Sequence, residues 1–228
     1  MKIGMIVAVQ GEIEAMLKKI GRPISEDCFP GYEVKMYLVS GNELYVTQSG
    51  AGEISAAAAV QMLISQYQVS LIVNFGVVGG LTPEMSLSSV AVVEKAVHYD
   101  FDTSAIDNCE PARYLDYPDV YIPADKALLE MALKVEPSLK KVICASADKF
   151  VASAIAKTDL HEKYNADICD METAGILLTC NRNRVPALLI KAVSDSVEGG
   201  AEEFAKMLRD AAYTCVSVMM RVIDSIGE

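Results

Sequence analysis

The sequence predicts an α/β fold, namely a single three-layer αβα domain with a central mixed, mostly parallel sheet. Short apolar runs rich in β-branched residues alternate with longer amphipathic stretches, which indicates strands separated by helices. Strands joined in this way run parallel and are covered by helices on both faces. Of the 228 residues, 52% are hydrophobic and 22% are charged, so the chain can bury a large core and is not disordered. Because no repeat or linker interrupts the sequence, we expect residues 1–228 to form one domain.

The first half of the chain alternates strands and helices around one hairpin. Ile13, Met16 and Ile20 recur at helical spacing after a buried first strand. The turn residues Ser40-Gly41-Asn42 lie between two strand-like segments, which predicts an antiparallel pair. A glycine-rich turn is expected at residues 76–80. The predicted elements are a strand at Lys2–Val9, a helix at Gly11–Ile20, hairpin strands at Tyr32–Val39 and Leu44–Gln48, an Ala-rich helix at Ile54–Tyr67, and strands at Ser70–Phe75 and Val90–Val97.

The second half opens with a long segment that has no helical period and then returns to the alternating pattern. Residues 100–123 are polar and aromatic, with three tyrosines and three prolines, and a loop of that length is usually functional or forms an interface. The elements predicted after it are a helix at Asp125–Val135, strands at Lys141–Ala145 and Asp167–Met171, a helix at Glu172–Cys180, a strand at Leu188–Val193 and a long amphipathic helix at Ala201–Ile226.

The charge and cysteine content exclude several classes of function. Lysine and arginine total 20 against 31 aspartates and glutamates, a net charge of −11, so we expect no nucleic-acid partner. No apolar run approaches about 18 residues, so no interaction with a membrane is expected. The six cysteines are scattered, and neither CxxC nor HExxH occurs. This pattern predicts reduced thiols in a cytoplasmic protein that holds no metal and no cofactor.

Three acidic residues follow predicted strands. Glu12 comes after the first strand, Glu172 after the strand at 167–171, and Asp195 after the last core strand. Ligands of open α/β sheets bind beyond the carboxyl ends of the strands, so we expect these acids to converge there. Crowded, partly buried carboxyl groups raise one another's pKa toward neutrality, which suits proton transfer, and an ionised carboxylate can bind sugar hydroxyls. No lysine or arginine is obviously matched to the three acids.

Each of these residues also has a purely structural interpretation. Glu12 lies where a helix begins, and an acid in the first turn is stabilised by the helix dipole without any function. Glu172 could be an ordinary first-turn residue of the next helix, and Ser194-Asp195 could cap a turn. Glycine clusters are common in turns of every kind. The combination of acids at several strand ends, rather than any one of them, favours a catalytic site.

Six segments of the chain, taken in order, resemble a known family. KIGMIVAVQGEIEAM, SGAGEISAA, NFGVVGGL, SADKFVAS, CDMETAGI and VSDS are similar to the nucleoside phosphorylase superfamily, and most similar to its hydrolytic branch, the 5′-methylthioadenosine/S-adenosylhomocysteine nucleosidases. The resemblance implies a nucleoside phosphorylase-like fold. It also implies irreversible hydrolysis of an N-glycosidic bond that releases adenine and a 5-thio-substituted ribose, without a cofactor.

The resemblance assigns a role to individual residues. Asp195 matches the acid that protonates purine N7, Ser194 matches the residue that orients it, and Glu12 matches the base that activates water. Glu172 matches the residue that binds the ribose 2′ and 3′ hydroxyls. The remaining matches are Met171 against the sugar, Phe150 stacking on the purine, the Val151 backbone reading the purine edge, and pocket walls at Ala8, Val9, Ala51, Val78 and Gly79.

Three alternatives to a 5′-thioadenosine hydrolase remain open from the sequence, and the first is another purine nucleosidase of the same superfamily. A phosphorylase needs cationic ligands for phosphate, and no arginine lies in the first strand-to-helix turn or between residues 50 and 97, which favours hydrolysis. A nucleoside-binding sensor on the same fold would bind without cleaving. The resemblance further implies a homodimer in which segment 100–123, with Tyr114, Tyr117 and Pro118 as candidates, lies near the pocket of the partner subunit.

Overall fold

The computed structural model describes residues 1–226, which form ten strands in one sheet together with seven α-helices. The strands are β1 Lys2–Val7, β2 Ser25–Phe29, β3 Tyr32–Val39, β4 Asn42–Gln48, β5 Leu71–Gly80, β6 Val90–His98, β7 Tyr121–Pro123, β8 Lys140–Ser146, β9 Ile168–Asp170 and β10 Ala187–Asp195. The helices are α1 Gln10–Ile20, α2 Glu53–Met62, α3 Ser104–Asp107, α4 Lys126–Val135, α5 Ala154–Tyr164, α6 Thr173–Asn183 and α7 Ala201–Asp224. A π-helical turn at Leu63–Tyr67 extends α2.

The sheet is mixed, with parallel strands at its centre. β1 pairs in parallel with β4 and β5, and β5 pairs in parallel with β10, so the carboxyl ends of these four strands share one edge. β2, β3 and β4 form an antiparallel meander on one side. On the other side, β10, β6, β8 and β9 pair in succession, and β9 returns to the end of β5. The five strands β5, β10, β6, β8 and β9 therefore close a ring.

Helices cover both faces of the sheet, and a separate apolar cluster lies between the sheet and the helices on each face. α1 packs on α7, and α7 packs on β5 and β10 with buried residues such as Met219 and Ile223. On the opposite side α2 packs on α6, above Ile72 and Leu189. The predicted α/β fold with a central mixed sheet is thus confirmed. That the chain forms one domain stays a prediction.

The structure contains four elements that the sequence did not predict, namely β2, α3, β7 and α5. β2 carries exposed polar residues over most of its length, so it lacks the apolar alternation that indicates a strand. α5 buries only Lys157 and Tyr164, so its apolar residues mark no face. Segment 100–123, expected to be a loop, contains the short α3 and the three-residue β7.

The glycine-rich residues 76–80 lie in β5 and not in a turn. β5 is paired with β10 on one side and with β9 at its end, so sheet pairing overrides the local preference of glycine for turns. Likewise Ser194 and Asp195 are the last residues of β10 and do not cap a turn. None of the helices within residues 1–226 has the length and hydropathy required to cross a membrane.

Candidate active site

Glu12 lies in the first turn of α1, directly beyond the end of β1, and is almost completely buried. Its Oε2 accepts hydrogen bonds from the backbone N–H groups of Ala8 and Val9, both at 3.0 Å. Its Oε1 accepts the N–H of Val77 on β5 at 2.9 Å. Burial raises the pKa of the carboxyl group, while these backbone donors and Lys191 act in the opposite direction. Glu12 therefore caps the start of α1 and is at the same time a buried carboxyl group with a raised pKa.

A buried lysine on β10 links the acids of β9 to the region of Glu12. The Nζ of Lys191 lies 2.7 Å from Oδ2 of Asp170, and both side chains are only 2% exposed. A Cβ atom placed on Gly76 would lie 3.0 Å from Oε1 of Glu12 and 3.7 Å from Nζ of Lys191, so both groups lie against the same β5 residue. Burial opposes the ionisation of Asp170, but Lys191 holds the pKa of this carboxyl below its usual value.

Glu172 follows β9 and precedes α6, and its side chain reaches across to the glycine segment before α2. Its Oε1 accepts the backbone N–H of Gly52 at 3.0 Å. Desolvation by burial, reinforced by the charge of Asp170, raises the pKa of Glu172 to about 7. The first turn of α6 is instead capped by Asp170, which accepts the N–H of Thr173 at 3.2 Å. The structural interpretation of Glu172 as an ordinary first-turn acid therefore does not hold.

Asp195 ends β10 and is held on both carboxylate oxygens. Oδ2 accepts a hydrogen bond from Nζ of Lys157 on α5 at 2.6 Å, and Oδ1 lies 3.1 Å from the hydroxyl of Ser194. The Ser194 hydroxyl also lies 3.2 Å from the carbonyl oxygen of Val78. The Lys157 and Asp195 side chains are buried, with exposed fractions of 0% and 2%. The carboxylate and the ammonium group are in direct contact and both are buried, so they form a buried ion pair.

The two catalytic candidates lie along the same strand. Glu12 contacts β5 at Gly76 and Val77, and Asp195 is paired with Gly79 in the β5–β10 register. Three residues of strand correspond to roughly 10 Å at about 3.3 Å per residue. Glu12 and Asp195 therefore flank a stretch of β5 about as long as a nucleoside.

The residues matched to the purine lie beyond β8. Phe150 is 41% exposed, and its ring meets that of Phe204 on α7 edge to face, with centroids 5.4 Å apart. Phe150 and the buried Val151 line an open cavity of about 470 Å³, which is also bordered by Tyr99. An exposed aromatic ring beside a cavity can stack on a planar ligand.

The other predicted site residues surround the same edge of the sheet. Ala8 and Val9 hold Glu12, as described. Val78 and Gly79 form β5 opposite Val193 and Asp195. The remaining two residues are Ala51, between the glycines before α2, and Met171, directly before Glu172. Their segments are joined by the hydrogen bond from the N–H of Gly52 to Glu172.

A further acid, Glu53, belongs to the same buried network and was not predicted. It accepts the N–H of Gly175 at 2.5 Å and a bond from the hydroxyl of Ser146, which in turn lies 2.6 Å from Oδ1 of Asp170. Burial, assisted by the charge of Asp170, raises the pKa of Glu53 to about 8. Glu53 therefore carries a proton at neutral pH.

The expectation that no cation is matched to the three acids is wrong for Asp195, which pairs with Lys157, and a second lysine, Lys191, pairs with the nearby Asp170. Lys157 was missed because its helix was not predicted. Lys191 lies in an apolar run, ALLIKAV, and a lysine inside a buried strand is a signal that a carboxylate must lie beside it. In the described part of the chain no group of three or more His, Cys, Asp or Glu residues is arranged to hold a metal ion.

Fold and site together define an α/β enzyme whose centre is built for acid–base chemistry. Buried carboxyl groups with raised pKa values lie near the strand ends, and the pKa values of Glu172 and Glu53, about 7 and about 8, let these two groups hold or release a proton near neutral pH. The chain belongs to the phosphorylase superfamily, whose family model matches residues 2–226.

Similar proteins narrow the class of enzyme. The 5′-methylthioadenosine/S-adenosylhomocysteine nucleosidase of Shewanella sediminis is 27% identical over 99% of this chain and 100% of its own length. The aminodeoxyfutalosine nucleosidase of Campylobacter jejuni is 24% identical over 99% and 100%. A crystal structure of the 5′-methylthioadenosine/S-adenosylhomocysteine nucleosidase of Helicobacter pylori superposes with a TM-score of 0.93 at 24% identity, covering 99% of this chain and 98% of that one. The resemblance seen in the sequence is confirmed, as is the predicted enzyme class, since nucleosidases are N-glycosidic hydrolases.

Proposed function

We propose that the protein hydrolyses the N-glycosidic bond of 5′-methylthioadenosine- or S-adenosylhomocysteine-type nucleosides, releasing adenine and a 5-thio-substituted ribose. The observation that carries this proposal is the pair of buried acids, Glu12 and Asp195, at the two ends of a short stretch of β5. Asp195 acts as the general acid, Glu12 as the general base, and Glu172 binds the ribose hydroxyls.

The chemistry of the bond explains why two carboxyl groups are needed. A purine is a poor leaving group as an anion, so N7 must be protonated as the bond breaks, and a positioned acid is typically worth 10²–10⁴-fold. The ribose then gains positive charge, which nearby carboxylates stabilise. Inverting glycoside hydrolysis separates acid and base by about 6.5–9.5 Å to admit water. The β5 residues that the two acids contact are separated by a span of the same order, roughly 7–10 Å from Val77 or Gly76 to Gly79.

The electrostatics of the site favour water over phosphate as the nucleophile. Lys157 and Lys191 are each paired with an aspartate, at 2.6 and 2.7 Å. A phosphate dianion would have to compete for these cations in a buried, acid-rich cluster, at a high electrostatic cost. We therefore assign hydrolysis rather than phosphorolysis.

The remaining residues form the walls of the substrate pocket in this proposal. Phe150 stacks on the purine, the Val151 backbone reads its edge, and Ser194 orients Asp195. The exposed ring of Phe150, which meets that of Phe204 edge to face, supports the first assignment. The pocket walls are Ala8, Val9, Ala51, Val78, Gly79 and Met171.

One assay separates the candidate functions. The purified protein is incubated with methylthioadenosine, S-adenosylhomocysteine or aminodeoxyfutalosine, with and without phosphate, and the base and sugar products are identified. We expect adenine and a free 5-thioribose from the first two substrates, at a rate that phosphate does not change. Ribose 1-phosphate would show a phosphorylase, binding without adenine release over hours would show a sensor, and turnover confined to aminodeoxyfutalosine would change the assigned substrate.

Two isosteric variants test the assigned acids. Asp195→Asn and Glu12→Gln should each fold but lose at least about 10²-fold in kcat, because neither amide can transfer the proton. Glu14→Gln, at an exposed position of the same α1 helix, is the matched control and should retain full activity. Turnover at the wild-type rate in either site variant would remove that residue from the mechanism.

We further propose that the active form is a cytoplasmic homodimer with segment 100–123 at the pocket of the partner. Two large apolar side chains in that segment, Ile106 and Leu115, are 82% and 63% exposed, which supports an interface there. All six cysteines are free thiols, as expected in a reducing compartment. Sedimentation equilibrium should give twice the chain mass of 24.6 kDa, and a monomer at micromolar concentration would contradict the proposal.

A further inference from the structure

Lys157 is a buried cation that the assigned reaction does not require as a ligand of substrate. We propose that Lys157 is a positioning residue, which holds the carboxyl group of Asp195 and joins it to the loop at residues 196–199. This inference rests on the proposed function, because it assigns Lys157 a role through the general acid Asp195.

The three donors of the ammonium group are all used within the protein. Nζ of Lys157 lies 2.6 Å from Oδ2 of Asp195, 2.5 Å from the carbonyl oxygen of Ser196 and 3.2 Å from that of Gly199. An ammonium group has three N–H bonds and no lone pair, so none is left for a ligand. With the side chain completely buried, Lys157 can act on a substrate only through the groups that it binds.

The backbone of β5 passes directly over this ion pair. A Cβ atom on Gly79 would lie 3.1 Å from Oδ2 of Asp195, 3.5 Å from Cε of Lys157 and 3.0 Å from Sγ of Cys169. Any side chain at this position would therefore push the carboxylate or the lysine aside. The glycine at residue 79 lets β5 close over the pair and hold it out of water.

Few other charges act on the pair. From β9, the thiol of Cys169 faces it, and burial raises the pKa of that thiol to about 12, so the sulfur stays neutral. From α7, Glu203 acts on Lys157 while its Oε2 accepts the N–H of Ser196 at 2.6 Å. The adjoining residues of β5, Val78 and Gly79, carry no titratable group. Lys157 is thus the cation in contact with Asp195.

The ammonium group matters at the step where Asp195 gives up its proton. The O–H bond of the Asp195 carboxyl breaks, an N–H bond forms at purine N7, and the glycosidic electron pair passes to the purine, which leaves neutral. The residue left behind is a carboxylate, and the Lys157 charge stabilises it while Lys157 keeps its own proton. The ammonium group also fixes the orientation of the carboxyl, because Oδ2 is held by Lys157 while Oδ1 lies beside the hydroxyl of Ser194.

The same ammonium joins the acid to the start of α7. Ser196 and Gly199 belong to the loop between β10 and α7, and Glu203 binds the hydroxyl of Ser196 at 2.8 Å. The next residue, Phe204, meets the exposed ring of Phe150. The orientation of the acid and the position of this aromatic ring therefore depend on one side chain.

The test compares Lys157→Met, Lys157→Gln and Lys157→Arg with Lys134→Met, which changes an exposed lysine of α4. Methylthioadenosine hydrolysis is measured at pH 7 and separated into kcat and KM, and circular dichroism gives the folded fraction of each variant. For the uncharged variants we expect kcat per folded enzyme to fall by about tenfold or more while KM changes little, because the ammonium charge stabilises the carboxylate only as the proton leaves. Lys157→Arg should restore part of kcat, and Lys134→Met should match the wild type.

The outcomes are distinct. If the wild type releases no adenine, the proposed function fails. If the wild type is active and the uncharged variants keep its kcat, the positioning role of Lys157 is overturned. A fall in kcat that disappears when the rate is expressed per folded enzyme would also overturn it, since a loss of fold alone reduces only the amount of active enzyme. Should Lys157→Met not fold, Lys157→Gln, which retains donors to the two carbonyl groups, decides the result.

Discussion

Replacement of Lys191 by methionine should destabilise the protein strongly. The substitution keeps the length of the side chain but removes the charge that faces Asp170 at 2.7 Å. Asp170 would keep its hydrogen bonds from the hydroxyls of Ser146 and Thr173, but its negative charge would have no buried counterion. Neutral donors replace only part of the stabilisation that a cation gives to a carboxylate.

The magnitude follows from the burial of both partners. Breaking a buried ion pair by removing one member typically costs about 3–5 kcal/mol, because the other charge stays desolvated. For a chain of this size each kcal/mol lowers Tm by about 2–4 °C, so Lys191→Met should melt roughly 6–20 °C below the wild type. The double variant Lys191→Met/Asp170→Asn, in which no charge is left uncompensated, should recover part of this loss.

Thermal and urea unfolding at pH 7, followed by circular dichroism, would measure the effect. A matched control is Lys141→Met, because Lys141 pairs with Glu94 at 3.0 Å where the side chains are 50% and 40% exposed. A surface pair of that kind contributes about 0–1 kcal/mol and weakens with added salt. If Lys191→Met melted as close to the wild type as Lys141→Met does, the assignment of Lys191 as the counterion of Asp170 would be refuted.

Two further predictions concern the same region. The pKa of Glu53 is raised to about 8, so the folded chain keeps a proton that the unfolded chain releases at the usual glutamate pKa of 4.5. The free energy of unfolding should therefore fall as pH rises from about 5 to 8. Glu53→Gln, which mimics the protonated group, should flatten that fall in urea titrations at pH 5, 6.5 and 8, and an unchanged slope would contradict the shift. Gly79→Ala should cost about 1–3 kcal/mol through contact with Cys169 and Asp195, and should reduce kcat more than the overpacked variant Gly4→Ala, which lies away from the acids.

Much of the fold could be predicted because its core elements have clear periodicity. β1, β6, β8 and β10 are short runs of buried apolar residues, and α1 and α7 carry one apolar face each. β2 and α5 could not be predicted, because few of their own residues are buried and no apolar periodicity marks them. The extension of β5 through residues 76–80 was missed because only its pairing with β9 and β10, which are distant in the chain, makes that glycine-rich stretch a strand.

The sequence predicted the acidic residues of the candidate site but not the lysines that pair with aspartates there. Glu12 and Asp195 follow β1 and β10, which run parallel to β5, so the ends of these strands bring the two acids to one edge. Glu172 follows β9, which is antiparallel to β5 and pairs with its end. Lys157 carries no comparable positional signal, because its helix has no apolar face, whereas Lys191 is marked by its place inside an apolar run. Which lysine pairs with which aspartate is decided by β9, which crosses the end of β5 antiparallel and carries Asp170 toward Lys191.

The closed ring of strands has a consequence for how the site responds to a ligand. Gly76, Gly79, Lys191 and Asp195 lie on β5 and β10. Each of these two strands is paired with a neighbour on both sides within the ring, so neither can move without breaking hydrogen bonds to two other strands. The dipoles and charges along them are consequently oriented in advance, and little reorganisation energy is needed when charge develops on a bound molecule. Adaptation to ligands of different size falls instead to the segments outside the ring, chiefly the α7 amino terminus and residues 100–123.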